Sequence, residues 1–315
     1  MKKRNFDFFK NLPKFLIGYG VIIVACIVMA LISGIKLDIQ FSGGSQATYS
    51  FSGDIKLNDI ESVAQDTLKT DVTVSESASY TDDTSKKFTI SVSNHSTIDA
   101  EQTDELLKAL QEEFKDNNVK QEEIISVSAS IGTNFFFKCL VAVALAGVLV
   151  VIYVAFRFRK IGGWSAGLFS LIGLVLDILV AFSTCVILGI TIDSNFITVI
   201  LTLLGYSLND TIVVFDKVRE NKRIMGGDKD IKEIVNVSNN ECVSRNIMTT
   251  LATFLAIMTI LVVAEINGLA TLRSLTIPLA FGMISGSVSS LCVAPILWGL
   301  YVSDKSSKPK KRKSR

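Results

Sequence analysis

This sequence predicts a polytopic α-helical membrane protein, six transmembrane helices with a small α+β domain inserted between helices 1 and 2. Three observations predict it. Apolar residues make up 49% of the 315 and gather in six blocks instead of short periodic runs. Each block is about 20 residues long, the length a helix needs at ~1.5 Å per residue to cross ~30 Å of hydrocarbon. A polar stretch of domain size separates the first block from the second. Lys and Arg concentrate on one side of the spans: 22 of 32 fall in the N-terminus, the Arg157–Lys160 turn, the loop 217–245 and the tail, whereas the short loops opposite hold only Arg273. By the positive-inside rule both termini are cytoplasmic.

Residues 1–14 form a cytoplasmic N-terminus with Lys2, Lys3, Arg4, Lys10 and Lys14. The first span, 15–35, is too long and lacks the small-residue cleavage site of a removed signal peptide, so it reads as an anchor. Residues 36–132 form the extracytoplasmic domain, with 8 basic against 18 acidic residues, a net charge of about −10. Gln46–Phe51 alternates as a strand, Leu57–Leu68 has apolar residues at helical spacing, and Asp71–Ser77 and Lys87–Ser93 read as strands around a Thr81–Ser85 turn. Asp99–Phe114 sets Leu106, Leu107, Leu110 and Phe114 on one helical face, and Ile124–Ser130 is a last strand. The sum, β-α-β-β-α-β, is the ferredoxin-like plan.

The five remaining spans are 136–156, 164–188, 195–215, 246–264 and 275–301, within a membrane region 136–301. Between the fourth and fifth lies the cytoplasmic loop 217–245, where Ile231, Ile234 and Val235 predict an amphipathic helix on the membrane surface. Residues 302–315 are a basic tail, read as disordered. The acidic domain repels nucleic acid and anionic lipid, so no nucleic-acid partner is expected. Cys26, Cys139, Cys185, Cys242 and Cys292 show no C-x-x-C spacing, and the lone His95 sits in an external turn. Neither a metal nor a cofactor is expected, and nothing marks a catalytic residue.

The chemistry lies in ionisable residues within apolar spans. An ionised Asp at the centre of a membrane helix costs about 2.5–3.5 kcal/mol on insertion scales and is tolerated where it faces a partner, a proton path or water. Asp177 lies in the third span and Asp210 in the fourth, with Asn209 beside it. Arg245 enters the fifth span from the same side and is long enough to reach a neighbouring carboxylate. Burial favours the neutral carboxyl and a guanidinium favours the ionised one, so a small rearrangement between Asp210 and Arg245 can load or release a proton or sodium ion. Thr249, Thr250 and Thr253 offer hydroxyls to hold water nearby. Gly282, Gly286 and Ser290, four residues apart, give the sixth span a face where another helix backbone can approach.

The run Gly205-Tyr206-Ser207-Leu208-Asn209-Asp210-Thr211-Ile212-Val213-Val214-Phe215-Asp216 with Val218-Arg219-Glu220-Asn221, the Phe41-Ser42-Gly43-Gly44 after the first span and Gly286-Ser287-Val288-Ser289-Ser290 in the sixth resemble the SecF family of the bacterial protein-export machinery, a branch of the resistance–nodulation–division superfamily. The resemblance implies that Asp210 is the membrane carboxylate of proton conduction and Arg245 the Arg opening the fifth span. It also implies a bacterial cell membrane, a SecD partner, the SecYEG channel and a translocating polypeptide as further contacts, and use of the ion motive force to promote export. Leu176 stands where the family has a His before Asp177, Gln40 where it has Asp, and Asn246 where it has Thr. Two other functions use the same features, a half-size exporter of small molecules or lipids and a passive scaffold. An aspartyl protease would need glycines that Ser207-Leu208-Asn209-Asp210 lacks. The Gly163-Trp164-Ser165-Ala166-Gly167 match to a serine-hydrolase motif opens a membrane span.

Overall fold

The computed structural model describes residues 6–53, 55–70, 72–77, 85–93, 100–226, 229–267 and 269–307. The Thr81–Ser85 turn (all but Ser85), His95 and the tail from 308 lie outside them. Among the described residues six helices are long and apolar enough to cross a membrane, and the protein is a multi-pass membrane protein. The first, α1 (Phe8–Ser33), leads to a short helix α2 (Ile39–Ser42). After the domain come α5 (Ala129–Arg157), α6 (Gly163–Leu188), α7 (Ser194–Ile224), α8 (Ile231–Ile266), and a last span broken into α9 (Ala270–Cys292) and α10 (Ala294–Ser307). The end of the bundle where α1 stops and α5 starts is the domain side; the other, with the Arg157–Lys160 turn, is the basic side.

The domain runs β1 (Gly44–Ser52), α3 (Leu57–Leu68), β2 (Val72–Ser77), β3 (Ser85–Ser93), α4 (Ala100–Glu113) and β4 (Lys120–Val127). Its sheet is antiparallel with strand order β2-β3-β1-β4. Side chains of a strand alternate between faces, so Ala47, Tyr49 and Phe51 of β1 and Phe88, Ile90 and Val92 of β3 share one buried face, closed by Ile60 and Ala64 of α3 and Leu106 and Leu110 of α4. Tyr49 and Phe88 are directly paired across the strands and stack at 5.4 Å.

Two glycines seat this domain on the bundle. Gly43 has φ +75°, and a Cβ there would lie 2.4 Å from Ala129 Cα; Gly44 has φ +137°, and a Cβ there would lie 2.1 Å from Val92 O. Only glycine fits either position. Phe41, just ahead, packs on Phe135 and Phe136 at the start of α5.

In the bundle, small residues set where helices touch, because lipid tails offer no hydrophobic gain for association. Gly163 and Gly167 bring α6 onto the backbone of α5, with Ala155 O and Val151 O so near that a Cβ would collide. The Gly-x-Ser-x-Gly run is thus a packing surface, and Ser165 Oγ accepts from Trp298 Nε1 at 3.2 Å. Gly282 sits against Leu203 of α7 and Ala181 of α6, and Gly286 against Ser207 of α7. Ser290 contacts α8 through Asn246.

Two elements differ from the sequence reading. The expected surface helix and fifth span are one continuous α8 of 36 residues. Its first turns do not lie flat, because Ile234 and Val235 are buried with Phe8, Phe215 and Trp298, and Asn236 and Asn240 accept from the backbone N–H groups of Phe8 and Phe6. The sixth span breaks at Val293. Pro295 has no N–H to give Leu291 O, four residues back, and Asn239 Nδ2 of α8 donates to that oxygen instead at 2.7 Å.

Candidate functional site

The intramembrane acids occupy neighbouring helices in opposite surroundings. Asp177 on α6 is 0% exposed. Ser285 of α9 donates to its Oδ1 at 2.7 Å, while Ser207 of α7 (2.6 Å) and Ser289 of α9 (2.9 Å) donate to Oδ2. Tyr19 of α1 closes this cage from a fourth helix, its hydroxyl 3.1 Å from Ser285 Oγ and 3.2 Å from Ser285 O. Three hydroxyls take the place that a basic residue fills elsewhere, which allows a buried carboxyl to keep its hydrogen bonds without an ion pair.

Asp210 lies three residues beyond Ser207, on the adjoining part of the same helix. It is 4% exposed, and its Oδ2 has no hydrogen-bond partner among the described residues. Arg245 acts on it as a charge across the α7–α8 interface, yet no ion pair within 4.0 Å joins the two. Arg245 instead lines a cavity of about 970 Å³ on the basic side with Lys160, Asp216, Lys217, Glu241 and neighbouring residues. The structure therefore brings Asp210 and Arg245 into the same region without contact.

Asn209 is exposed, as are Leu201, Thr202 and Gly205. At i, i+4 spacing these form a bare stripe of α7 that no helix among the described residues covers. The threonines also bond within the protein. Thr249 and Thr253 donate back to carbonyls of α8, and Thr250 and Thr253 meet the Tyr206 hydroxyl at 3.2 and 3.0 Å. Asn246 clasps α9, its Nδ2 donating to Ser290 at 3.2 Å and its Oδ1 accepting from Ser287.

Sequence reasoning missed Ser207, Ser285, Ser289 and Tyr19. One signal was available: Ser285 and Ser289 are one turn apart beside Gly286, so a close-packed helix face carries hydroxyls that have to meet an acceptor in lipid. On the domain side stand two more acids outside the spans. Asp38 caps α2 and Asp193 caps α7. Burial pushes the Asp38 carboxyl up despite a hydrogen bond from Gln40 N–H. Burial likewise raises Asp193, and the charge of Asp38 adds to it.

A family model described as "Protein export membrane protein SecD/SecF, C-terminal" matches residues 106–304. The protein translocase subunit SecF of Sebaldella termitidis is 33% identical over 283 residues, 89% of this chain and 85% of that one. The SecF of Calditerrivibrio nitroreducens is 29% identical over 292 residues, 92% of each chain. The SecDF of Bacillus subtilis is 29% identical over 94% of this chain and 38% of its own length. A crystal structure of SecDF from Thermus thermophilus shares the fold, with a TM-score of 0.75 at 24% identity, across 96% of this chain and 39% of that one. The chain thus spans about two fifths of those SecDF chains. With its glycine-seated domain, its bundle and its acid-bearing α7 matched over nearly its whole length by SecF subunits, the chain belongs to the SecD/SecF family of protein-export membrane proteins.

Proposed function

We propose that this chain is an auxiliary subunit of the Sec machinery that works with a SecD-type subunit, using a proton or sodium motive force to promote passage of polypeptides through SecYEG. Asp210 carries the reading. An ionised carboxylate buried with an unpartnered oxygen costs several kcal/mol, so the arrangement here suits the protonated group. A swing of Arg245 from the basic-side cavity into contact suits the ionised one. The cycle alternates between these two states, with Asp210 as the loading site and Arg245 as its movable counter-charge. Asp177 does not change partners: its cage holds α7 against α6 and α9 while the neighbouring turn responds.

The bare stripe Leu201, Thr202, Gly205 and Asn209 supports the partner. It runs beside Asp210 on a helix otherwise packed by its own bundle, and small and polar residues suit helix docking in lipid. The relatives named SecDF are more than twice this chain's length, in keeping with a SecD-type partner beside this bundle. The β2-β3-β1-β4 sheet with α3 and α4 on one face supports a ferredoxin-like domain, and the basic residues at the opposite end of the bundle support its position outside the bacterial cell membrane. There it meets the emerging polypeptide.

The test is the export rate of a secreted reporter in cells whose only copy of the gene encodes Asp210→Asn, at matched membrane levels. Export slowed to the level of a deletion supports the ion-driven reading. Export unchanged, while deletion slows it, makes the chain a passive scaffold.

A further inference from the structure

The external domain has two covalent connections to the membrane, through α1 and α5, and neither helix carries an intramembrane acid. It has a third connection, which is not covalent and goes to the start of α7, the helix that carries Asp210. Ile192, two residues before α7, pairs with the linker between α1 and α2. Its N–H donates to Lys36 O at 2.9 Å and its carbonyl accepts from Asp38 N–H at 3.0 Å, a parallel bridge between Leu37 and Ile192.

Every step on either side of this bridge is closed. Next to Ile192, Asp193 caps α7, with Oδ1 accepting from the Asn195 and Phe196 N–H groups and Oδ2 from Asn195 Nδ2 at 2.6 Å. Next to Leu37, Asp38 caps α2 through Gln40 N–H at 2.9 Å. That helix ends at Gly43, against Ala129 and Gly132 of α5, and Gly44 begins β1. Ile192, Phe41 and Phe196 are buried in one apolar cluster. No unpaired linker intervenes between the first turn of α7 and the first residue of the sheet. A helix is stiff along its axis, and Asp210 lies 17 residues below Asp193, about 25 Å at the helical rise.

We propose that the bridge of Lys36–Asp38 with Ile192 is a permanent joint through which displacement of α7 reaches the external domain, with Ile192, Asp38 and Asp193 as positioning residues. This rests on the ion-driven reading of Asp210. Ion flux then belongs to the middle of α7, and conversion of flux into domain movement belongs to its domain end. The two are separable by mutation.

The experiment uses membranes holding the full chain with its SecD-type partner, and reads ion flux and reporter export side by side. Ile192→Pro removes the N–H donated to Lys36 O. Export stimulation should fall at least fivefold with flux within twofold of the parent. Unchanged export, or an equal loss of both, overturns the joint. Leu37→Cys with Ile192→Cys locks positions that are already paired, so the oxidised pair should export within twofold of its reduced form; an export block on oxidation means the bridge has to open, and overturns permanence. Hydrogen exchange in the unsubstituted protein decides the joint independently. Slow exchange at the Asp38 and Ile192 amides, matching the interior of α7, supports it, and fast exchange overturns it. If the parent shows no ion-dependent flux, the ion-driven reading fails, whereas the exchange result still reports on the joint.

Discussion

Asp177 and Asp210 are the same side chain at similar depth on adjoining helices, and the protein treats them differently. Around Asp177 three hydroxyls from two helices satisfy both oxygens, and a tyrosine from a third steadies one of them. Around Asp210 one oxygen has no hydrogen-bond partner among the described residues, and Arg245, the opposite charge that acts on it, makes no ion pair with it. A saturated carboxyl is held in one state by its surroundings. A starved one gains from a change in protonation or in geometry, which is what a coupling site requires. On the proposed reading, hydrogen-bond satisfaction separates scaffold from moving part where residue type cannot.

The largest effect expected is at the starved site. Asp210→Asn should reduce export stimulation tenfold or more while the thermal midpoint in detergent stays at or above the parent's, since removing an unpaired buried carboxyl costs the fold nothing. A fallen midpoint would place Asp210 with Asp177 and break the comparison. Asp177→Ala should show the reverse signature in stability. It strips three hydroxyls of their acceptor, a loss of about 3 kcal/mol, read as a lower midpoint, with Asp177→Asn intermediate. Ser207→Ala removes one donor of three and should cost about 1 kcal/mol.

The acids at the joint, Asp38 and Asp193, sharpen the contrast further. Both are raised by burial, and Asp193 also by the charge of Asp38. A carboxyl raised in the folded state favours folding most when protonated, so the joint should be tightest below the ordinary carboxylate range and loosen as pH climbs through the raised values. Amide exchange at Ile192 should accelerate over that window, and Asp193→Asn, which keeps the cap, should flatten the dependence. The smallest effect concerns another orphan, in the domain core. Tyr49 is fully buried with an unpartnered hydroxyl pushed up to about 12 by burial. Tyr49→Phe should leave stability unchanged or raise it by up to about 1 kcal/mol.

Much of this architecture is legible along the chain, because a membrane span announces itself by length and by apolar content. The third span reads as 164–188, and the helix is Gly163–Leu188. The acids were legible for the same reason, as charges where hydrocarbon penalises them. The cage was not: Ser207, Ser285 and Ser289 converge from positions up to 82 residues apart, and a serine in a span commonly bonds its own helix, as Ser170 and Ser183 do here. The continuity of α8 was hidden because the bonds that hold its first turns are long-range: Asn236 and Asn240 bond Phe8 and Phe6, and Asn239 bonds Leu291 of α9. Contacts of that range leave no periodicity to read.

The bond from Asn239 to Leu291 O also bears on how the chain is assembled. Without α8, the carbonyl that Pro295 leaves without a donor would lack this partner, and a buried unpaired carbonyl costs about 1–3 kcal/mol. That span settles only where α8 already stands, with Asn239 ready. Synthesis from the N-terminus delivers α8 first, so the order of translation has the donor in place before its acceptor, and a chain rearranged to make the last span early would leave that carbonyl waiting for Asn239.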